Sequence, residues 1–83
     1  MLERKVVGGK MYDINTAKVV GIVSDYESGY CRRLYRKRNG EDFLHTQDDY
    51  GEDKIRPMSL DQAKGWVLTY LLEEYDEIFD DAE

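Results

Sequence analysis

The stretch that decides the fold is residues 57–83, which read PMSLDQAKGWVLTYLLEEYDEIFDDAE. Ser59 and Gln62 have the spacing of a capping box, in which each side chain accepts a hydrogen bond from the backbone N–H of the other residue. This pair predicts a helix that begins at Leu60. The apolar residues that follow at helical steps of three and four are Leu60, Ala63, Val67, Leu71, Tyr75 and Ile78. The pattern predicts one amphipathic helix over residues 59–79, with this stripe against a core.

The last part of this stretch is strongly acidic. Seven of the eleven residues from 73 to 83 are Asp or Glu, at the helix end where the dipole disfavours negative charge. One interpretation is a solvated tail that only aids solubility. The other is that Tyr75, Ile78 and Phe79 hold the carboxylates in order, ready to occupy a protein surface built for a phosphate backbone. The acidic candidates for partner binding are Glu73, Glu74, Asp76, Glu77, Asp80 and Asp81, with Asp48, Asp49, Glu52 and Asp53 from a loop upstream.

The size and composition of the chain fit a single small domain. With 83 residues it can bury roughly 60% of its unfolded surface and fold alone. The predicted organisation is a lead-in over residues 1–9, a sheet over 10–58, the helix over 59–79 and an acidic tail over 80–83. The lone Cys31 forms no internal disulfide, and no apolar run predicts a signal peptide or a membrane span, so we expect a cytoplasmic protein.

Charge is divided unevenly along the chain. Residues 1–40 hold nine Lys or Arg against four Asp or Glu, a balance of +5, whereas residues 41–83 balance at −11. The net charge of −6 repels nucleic acid at long range and disfavours direct nucleic-acid binding, unless the basic part is presented separately. We therefore expect a protein partner.

Four or five strands are predicted before the helix. Residues 10–13 and 17–23 are rich in β-branched and aromatic side chains and flank the polar turn 13–16, which predicts a first hairpin. For residues 1–9, a short strand and an unordered terminus stay equally open.

A second hairpin is predicted over residues 30–46. Its turn is Asn39-Gly40, the strongest signal for a two-residue turn, and this turn places Leu34 opposite His45. The predicted fold is α+β: a small antiparallel sheet of four to five strands, with one C-terminal amphipathic helix packed on one face.

Neither a reaction nor a cofactor is indicated. Cys31 and His45 are the candidates for a nucleophile and a base, and in the predicted register they point to opposite sides of the sheet. The carboxylates of residues 48–53 lack the alternating order of a calcium loop. We therefore expect no enzymatic activity, no metal and no cofactor.

Five cations fall within residues 32–38, beside tyrosines that can stack on bases. The alternative nucleic-acid-binding residues are Arg32, Arg33, Arg36 and Arg38. Because side chains alternate along a strand, this basic hairpin is divided between two faces, and one set must lie beside core residues.

The predicted helix also carries more apolar side chains than one stripe needs. An extra apolar surface on a small domain predicts a homodimer or a partner interface. The candidate interface residues are Trp66, Tyr70, Tyr75 and Phe79.

Several motifs resemble a group of small proteins encoded by bacterial phages and mobile elements. The motifs are Lys10-Met-Tyr-Asp-Ile-Asn-Thr-Ala17, Arg33-Leu-Tyr-Arg-Lys-Arg-Asn-Gly40, Phe43-Leu-His45 and Ile55-Arg-Pro-Met-Ser59, with Ala63, Lys64 and Trp66. The resemblance covers about residues 9 to 70 and leaves the acidic tail outside it. Such phage proteins include inhibitors of host defence, anti-CRISPR proteins among them. The resemblance therefore implies a phage protein that acts in a bacterial host cell.

Together these observations favour a non-enzymatic inhibitor that acts as a DNA mimic on a host nucleic-acid-binding complex. The favoured partner is a CRISPR effector, in particular a Cas9-type nuclease, because such an effector reads DNA with arginines and holds it in a positive channel. Two alternatives stay open: a small nucleic-acid-binding regulatory protein that uses the basic hairpin, and a structural homodimer without a ligand.

Overall fold

The computed structural model describes residues 3–25, 27, 29–48 and 52–79. The elements in chain order are β1 (Arg4–Val7), β2 (Lys10–Asp13), β3 (Lys18–Asp25), β4 (Tyr30–Arg36), β5 (Asp42–Gln47), β6 (Asp53–Met58), α1 (Leu60–Tyr70), a 3₁₀ turn (Leu72–Glu74) and α2 (Tyr75–Phe79). Strands β3 to β6 form one antiparallel sheet in that order, and β1 and β2 form a separate two-stranded ribbon. The predicted α+β class, with C-terminal helical structure packed on the sheet, is confirmed.

The first hairpin differs from the prediction. β2 pairs with β1 and not with β3, so the lead-in segment is a strand. Gly8 and Gly9 both have positive φ, 59° and 79°, which suits the tight two-residue turn that joins the ribbon. The polar segment after β2 instead bends back on Asp13, whose carbonyl accepts from the N–H groups of Thr16 and Ala17. This bend carries the chain from the ribbon to β3.

The turn between β4 and β5 is longer than predicted. The Lys37 N–H donates to the Glu41 carbonyl at 2.7 Å, the Gly40 N–H donates to the Lys37 carbonyl at 2.9 Å, and Gly40 has φ +92°. A three-residue loop with glycine at positive φ therefore replaces the expected two-residue turn. The predicted register is wrong by one residue as a result.

The shifted register changes which side chains share a face. Leu34 lies opposite Leu44 rather than His45, and Arg33 lies opposite His45. Because side chains alternate along a strand, Cys31 shares the face of Arg33 and His45. The expectation that Cys31 and His45 point to opposite sides of the sheet is therefore wrong.

Apolar side chains are buried on both faces of the four-stranded sheet. The helix-side core is Leu34, Leu44, Ala63, Trp66, Val67 and Ile78. The ribbon-side core is Tyr12, Phe43 and Ile55, with Val7, Ile14, Ala17 and Tyr35 packed against it. β5 is accordingly buried without interruption from Asp42 to His45, as a strand covered on both faces requires. The ribbon thus forms a second covering layer, which the sequence analysis did not predict.

α1 begins where it was predicted. The Ser59 hydroxyl accepts from the Gln62 N–H at 3.1 Å, and the Gln62 side chain accepts from the Ser59 N–H at 2.9 Å, so the capping box is confirmed. Ala63 and Val67 are fully buried on the predicted stripe, whereas Leu60 is exposed. In the ranges that the structure describes, no helix is long and apolar enough to cross a membrane.

The predicted single helix over residues 59–79 is interrupted at Leu71, which has φ −136° and ψ 44°. A Cβ built on Gly21 of β3 would lie 2.7 Å from Leu71 Cδ1 and 3.6 Å from Ile78 Cδ1. In a straight α-helix, residues seven apart are separated by about 10 Å along the axis. The break therefore lets two distant residues of the stripe pack on one patch of bare backbone at Gly21.

Candidate functional site

In the acidic segment, defined as residues 72–79, the carboxylates are exposed and all of the apolar side chains except that of Leu72 are packed. Ile78 is buried, and Tyr75 and Phe79 are half-buried against the helix-side core. The exposed carboxylates are Glu73, Glu74, Asp76 and Glu77. The predicted candidates Asp80 and Asp81 lie outside the described residues.

Arg36 joins the acidic segment to the sheet. Its Nε donates to Asp42 Oδ1 at 2.9 Å, and its Nη1 donates to the Ile78 carbonyl oxygen at 2.7 Å. Its guanidinium carbon also lies 5.2 Å from the centre of the Phe79 ring. Arg36, one of the alternative nucleic-acid-binding residues, is thus engaged within the fold, with the strand acid Asp42 and a backbone carbonyl of α2 as its partners.

The four arginines of the basic hairpin do not form one surface. Arg32 and Arg36 lie on the helix side of β4, and Arg33 lies on the ribbon side, as strand alternation predicted. Arg38 is exposed in the turn. The alternative site of Arg32, Arg33, Arg36 and Arg38 is therefore not a single nucleic-acid interface.

The acidic loop before β6 also differs from the expectation. Glu52 is exposed, and Asp48 is half-buried and accepts from the Glu52 N–H at 2.8 Å. The Asp53 side chain is only 2% exposed, and its Oδ2 lies 3.5 Å from Nε2 of the buried His45. Asp53 is therefore not available as a surface acid. Asp49 lies outside the described residues.

Cys31 and His45 share a sheet face, but their neighbours do not form a catalytic pair in the described ranges. The Cys31 sulfur lies 3.6 Å from the Ser24 hydroxyl oxygen, and His45 lies against Asp53 and the edge of the Tyr35 ring. Among the same residues, no three His, Cys, Asp or Glu side chains come together as a metal site would need.

The four candidate apolar interface residues differ in their exposure to solvent. Trp66 is 9% exposed and belongs to the helix-side core, so the expectation that it adds to an exposed face is wrong. Tyr70 is 47% exposed. Tyr75 and Phe79 are half-buried, with ring centres 5.0 Å apart.

An ion-pair cluster at the β4–β5 turn joins one carboxylate, Glu41, to two lysines. Glu41 accepts from Lys10 Nζ at 2.6 Å and from Lys37 Nζ at 2.8 Å, and its Oε1 also accepts from the Asn39 amide at 3.0 Å. These hydrogen bonds, first that from Lys10, lower the pKa of Glu41 from 4.5 to about 2. The same contact raises the pKa of Lys10.

The variant Glu41→Gln tests this cluster through the pH dependence of stability. Since folding lowers the pKa of Glu41, its contribution is fully present above about pH 4.5 and is lost as the pH falls towards about 2. We expect the difference in melting temperature between wild type and Glu41→Gln to shrink over that range. Lys10→Gln should lower stability in the wild type but not in the Glu41→Gln background. A difference that stays constant down to about pH 2 would contradict the linkage.

A cleft that no sequence pattern predicted lies on the part of the sheet that α1 leaves uncovered. The cleft has a volume of about 340 Å³. Its lining residues are Tyr30, Arg32, Leu44, Thr46, Lys54, Arg56, Trp66 and Tyr70. Lys54 and Arg56 have the two-residue spacing that places them on one face of β6, but their neighbours could be found only with the correct register.

A scan against protein-family models and searches of curated proteins and of solved structures found no match for this chain. The resemblance to small phage proteins over about residues 9 to 70 stays a prediction made from the motifs.

Proposed function

We propose that the chain is a non-enzymatic inhibitor of a host nucleic-acid-binding complex and that the acidic segment occupies a basic surface of that complex. A CRISPR effector of the Cas9 type is the partner we favour, following the resemblance to phage-encoded proteins. The observation that carries the proposal is the placement of four exposed carboxylates on a segment that is packed against the helix-side core through Tyr75, Ile78 and Phe79.

The order of the acidic segment supports this proposal. A frayed tail would lose conformational entropy on binding, whereas a segment held in place by Ile78 and by the Arg36 hydrogen bond has lost most of that entropy already. Carboxylates at fixed positions also resemble the regularly spaced charges of a phosphate backbone more closely than the carboxylates of a frayed tail do.

Charge complementarity supports the choice of partner. Proteins that hold nucleic acid line their grooves with Lys and Arg, and an acidic surface is attracted to the same groups. A Cas9-type effector presents both a positive channel and arginines that read guanines. The inhibitor should therefore compete with DNA, and its binding should weaken as salt is raised.

The test is cleavage of target DNA by a guide-loaded Cas9-type effector to which the protein is added before the DNA. The triple variant Glu73→Gln, Asp76→Asn and Glu77→Gln removes three charges from the acidic segment. Wild type should inhibit cleavage, and the variant should need roughly tenfold more protein for the same inhibition, because three lost ion pairs of about 0.5 kcal/mol each weaken binding by about 1.5 kcal/mol.

A matched control removes three charges elsewhere. The variant Glu3→Gln, Glu27→Gln and Asp61→Asn changes the net charge equally at exposed positions outside the acidic segment. It should inhibit like wild type, and circular dichroism should show both variants folded. Absence of inhibition by wild type would contradict the choice of effector. Equal inhibition by wild type and the segment variant, or equal losses in both variants, would contradict the role of the acidic segment.

A further inference from the structure

We propose that the cleft beside the C-terminal half of α1 binds a nucleotide, with the base stacked on tyrosine and the phosphate held by cations of β4 and β6. The nucleotide is either free or one unit of a single strand. This proposal goes beyond the inhibitor function and uses none of the residues of the acidic segment.

The aromatic part of the cleft is a supported platform. Tyr70 is 47% exposed and Tyr30 is 41% exposed, so both rings can be reached from solvent. Tyr70 is backed by Trp66, with ring centres 5.5 Å apart. The Arg32 guanidinium carbon lies 4.4 Å from the centre of the Tyr70 ring and 5.3 Å from that of Tyr30. Arg32 and Trp66 thus fix the orientation of the Tyr70 ring, and a nucleobase would stack on the part of the tyrosine rings that stays exposed.

The cations of the cleft lie on one face of the sheet. Arg32, Thr46 and Lys54 are cross-strand neighbours on β4, β5 and β6, and Arg56 follows two residues after Lys54 on the same face. No carboxylate lines the cleft in the described part of the chain, and within those residues none of the three cations forms an ion pair. The cleft is therefore a local positive site on an acidic protein.

Arg32 gives a second indication of an anionic ligand. Its Nε is buried and has no hydrogen-bond partner among the described residues. A buried donor without an acceptor costs free energy unless a ligand or water completes it. A phosphate oxygen that enters between Arg32 and Lys54 would supply the acceptor and the opposite charge together.

The size of the cleft and a comparison with a second cavity favour one nucleotide in the cleft. The volume of about 340 Å³ is near the lower end of ligand pockets, which run from roughly 300 to 1,000 Å³. A larger cavity of about 420 Å³ lies beside Arg36, but Glu77 lines it and Arg36 is already paired with Asp42. Unlike that cavity, the cleft combines exposed aromatic rings with cations that form no ion pair among the described residues.

Trp66 provides a direct readout, because it lines the cleft and is the single tryptophan of the chain. The full chain would be titrated with AMP, with oligo-thymidylate of about ten residues and with inorganic phosphate while Trp66 fluorescence is followed. A saturable change is expected with AMP, with the oligonucleotide or with both. A response to AMP assigns the free nucleotide as a ligand, and a response to the oligonucleotide alone assigns the single strand.

Charge variants locate the site. Lys54→Gln with Arg56→Gln should weaken binding at least about tenfold, and for the single strand it should reduce the slope of log K against log salt by about 1.4. The matched pair Arg4→Gln with Lys5→Gln makes the same charge change on the exposed strand β1 and should leave the affinity within about twofold. If the two double variants lose affinity equally, the proposal is overturned, because the binding is then a general electrostatic attraction.

Stacking variants test the base. Tyr70→Ala should weaken oligonucleotide or AMP binding roughly 5- to 150-fold, and Tyr70→Phe should keep most of the affinity because the ring remains. Two results would overturn the proposal: no saturable change with either nucleotide probe, or inorganic phosphate binding as tightly as AMP, which would mean that the base contributes nothing.

Discussion

Replacing Phe43 by alanine is expected to lower the free energy of unfolding by about 3–5 kcal/mol. The Phe43 side chain is fully buried in the ribbon-side core. The Tyr35 ring is stacked on it with centres 5.3 Å apart, and the Tyr12 ring meets it edge-on at 5.5 Å. Truncation removes both aromatic pairs and leaves a cavity. Because Tyr12 belongs to β2, the loss should also loosen the ribbon from the sheet.

The measurement is urea unfolding followed by circular dichroism, with Phe79→Ala as the matched control. Phe79 is the other phenylalanine of the chain and is only half-buried at the edge of the helix-side core. Its truncation should cost less than half as much as that of Phe43. An equal loss of unfolding free energy in Phe43→Ala and Phe79→Ala would contradict a well-packed core beneath the ribbon.

The elements of the fold could be predicted because their signals are local. The reciprocal Ser59 and Gln62 hydrogen bonds depend on residues three apart, and the strand segments are marked by their own side chains. Strand pairing depends on contacts between distant segments. Gly8-Gly9 made a better hairpin turn than the polar segment after β2, and the addition of Arg38 to the loop between β4 and β5 moved the register. The ribbon layer followed from these two differences.

In the candidate site, too, local features could be predicted from the sequence, and contacts between different strands could not. The acidic segment could be located because acidic and apolar residues alternate within it, and the structure describes it as packed up to Phe79. The burial of Asp53 beside His45 could not be predicted, because these residues lie on different strands. The cleft was missed for the same reason, since Arg32 and Lys54 meet only through β5.

Replacing Arg36 by methionine is expected to lower the free energy of unfolding by about 3–5 kcal/mol. The Asp42 side chain is 1% exposed, and the variant leaves this carboxylate buried without its cation. Methionine also removes the donor to the Ile78 carbonyl. The measurement is urea unfolding, and Arg38→Met in the exposed turn is the control, with an expected change within about 0.5 kcal/mol.

A double variant separates the two roles of Arg36. Arg36→Met with Asp42→Leu removes the buried charge together with its partner, so much of the lost stability should return, whereas the hydrogen bond to Ile78 stays absent. Amide hydrogen exchange in α2 should then remain faster than in wild type although global stability is largely restored. If inhibition depends on an ordered acidic segment, the double variant should inhibit poorly. Full inhibition by a stable double variant with fast exchange in α2 would show that charge alone is sufficient.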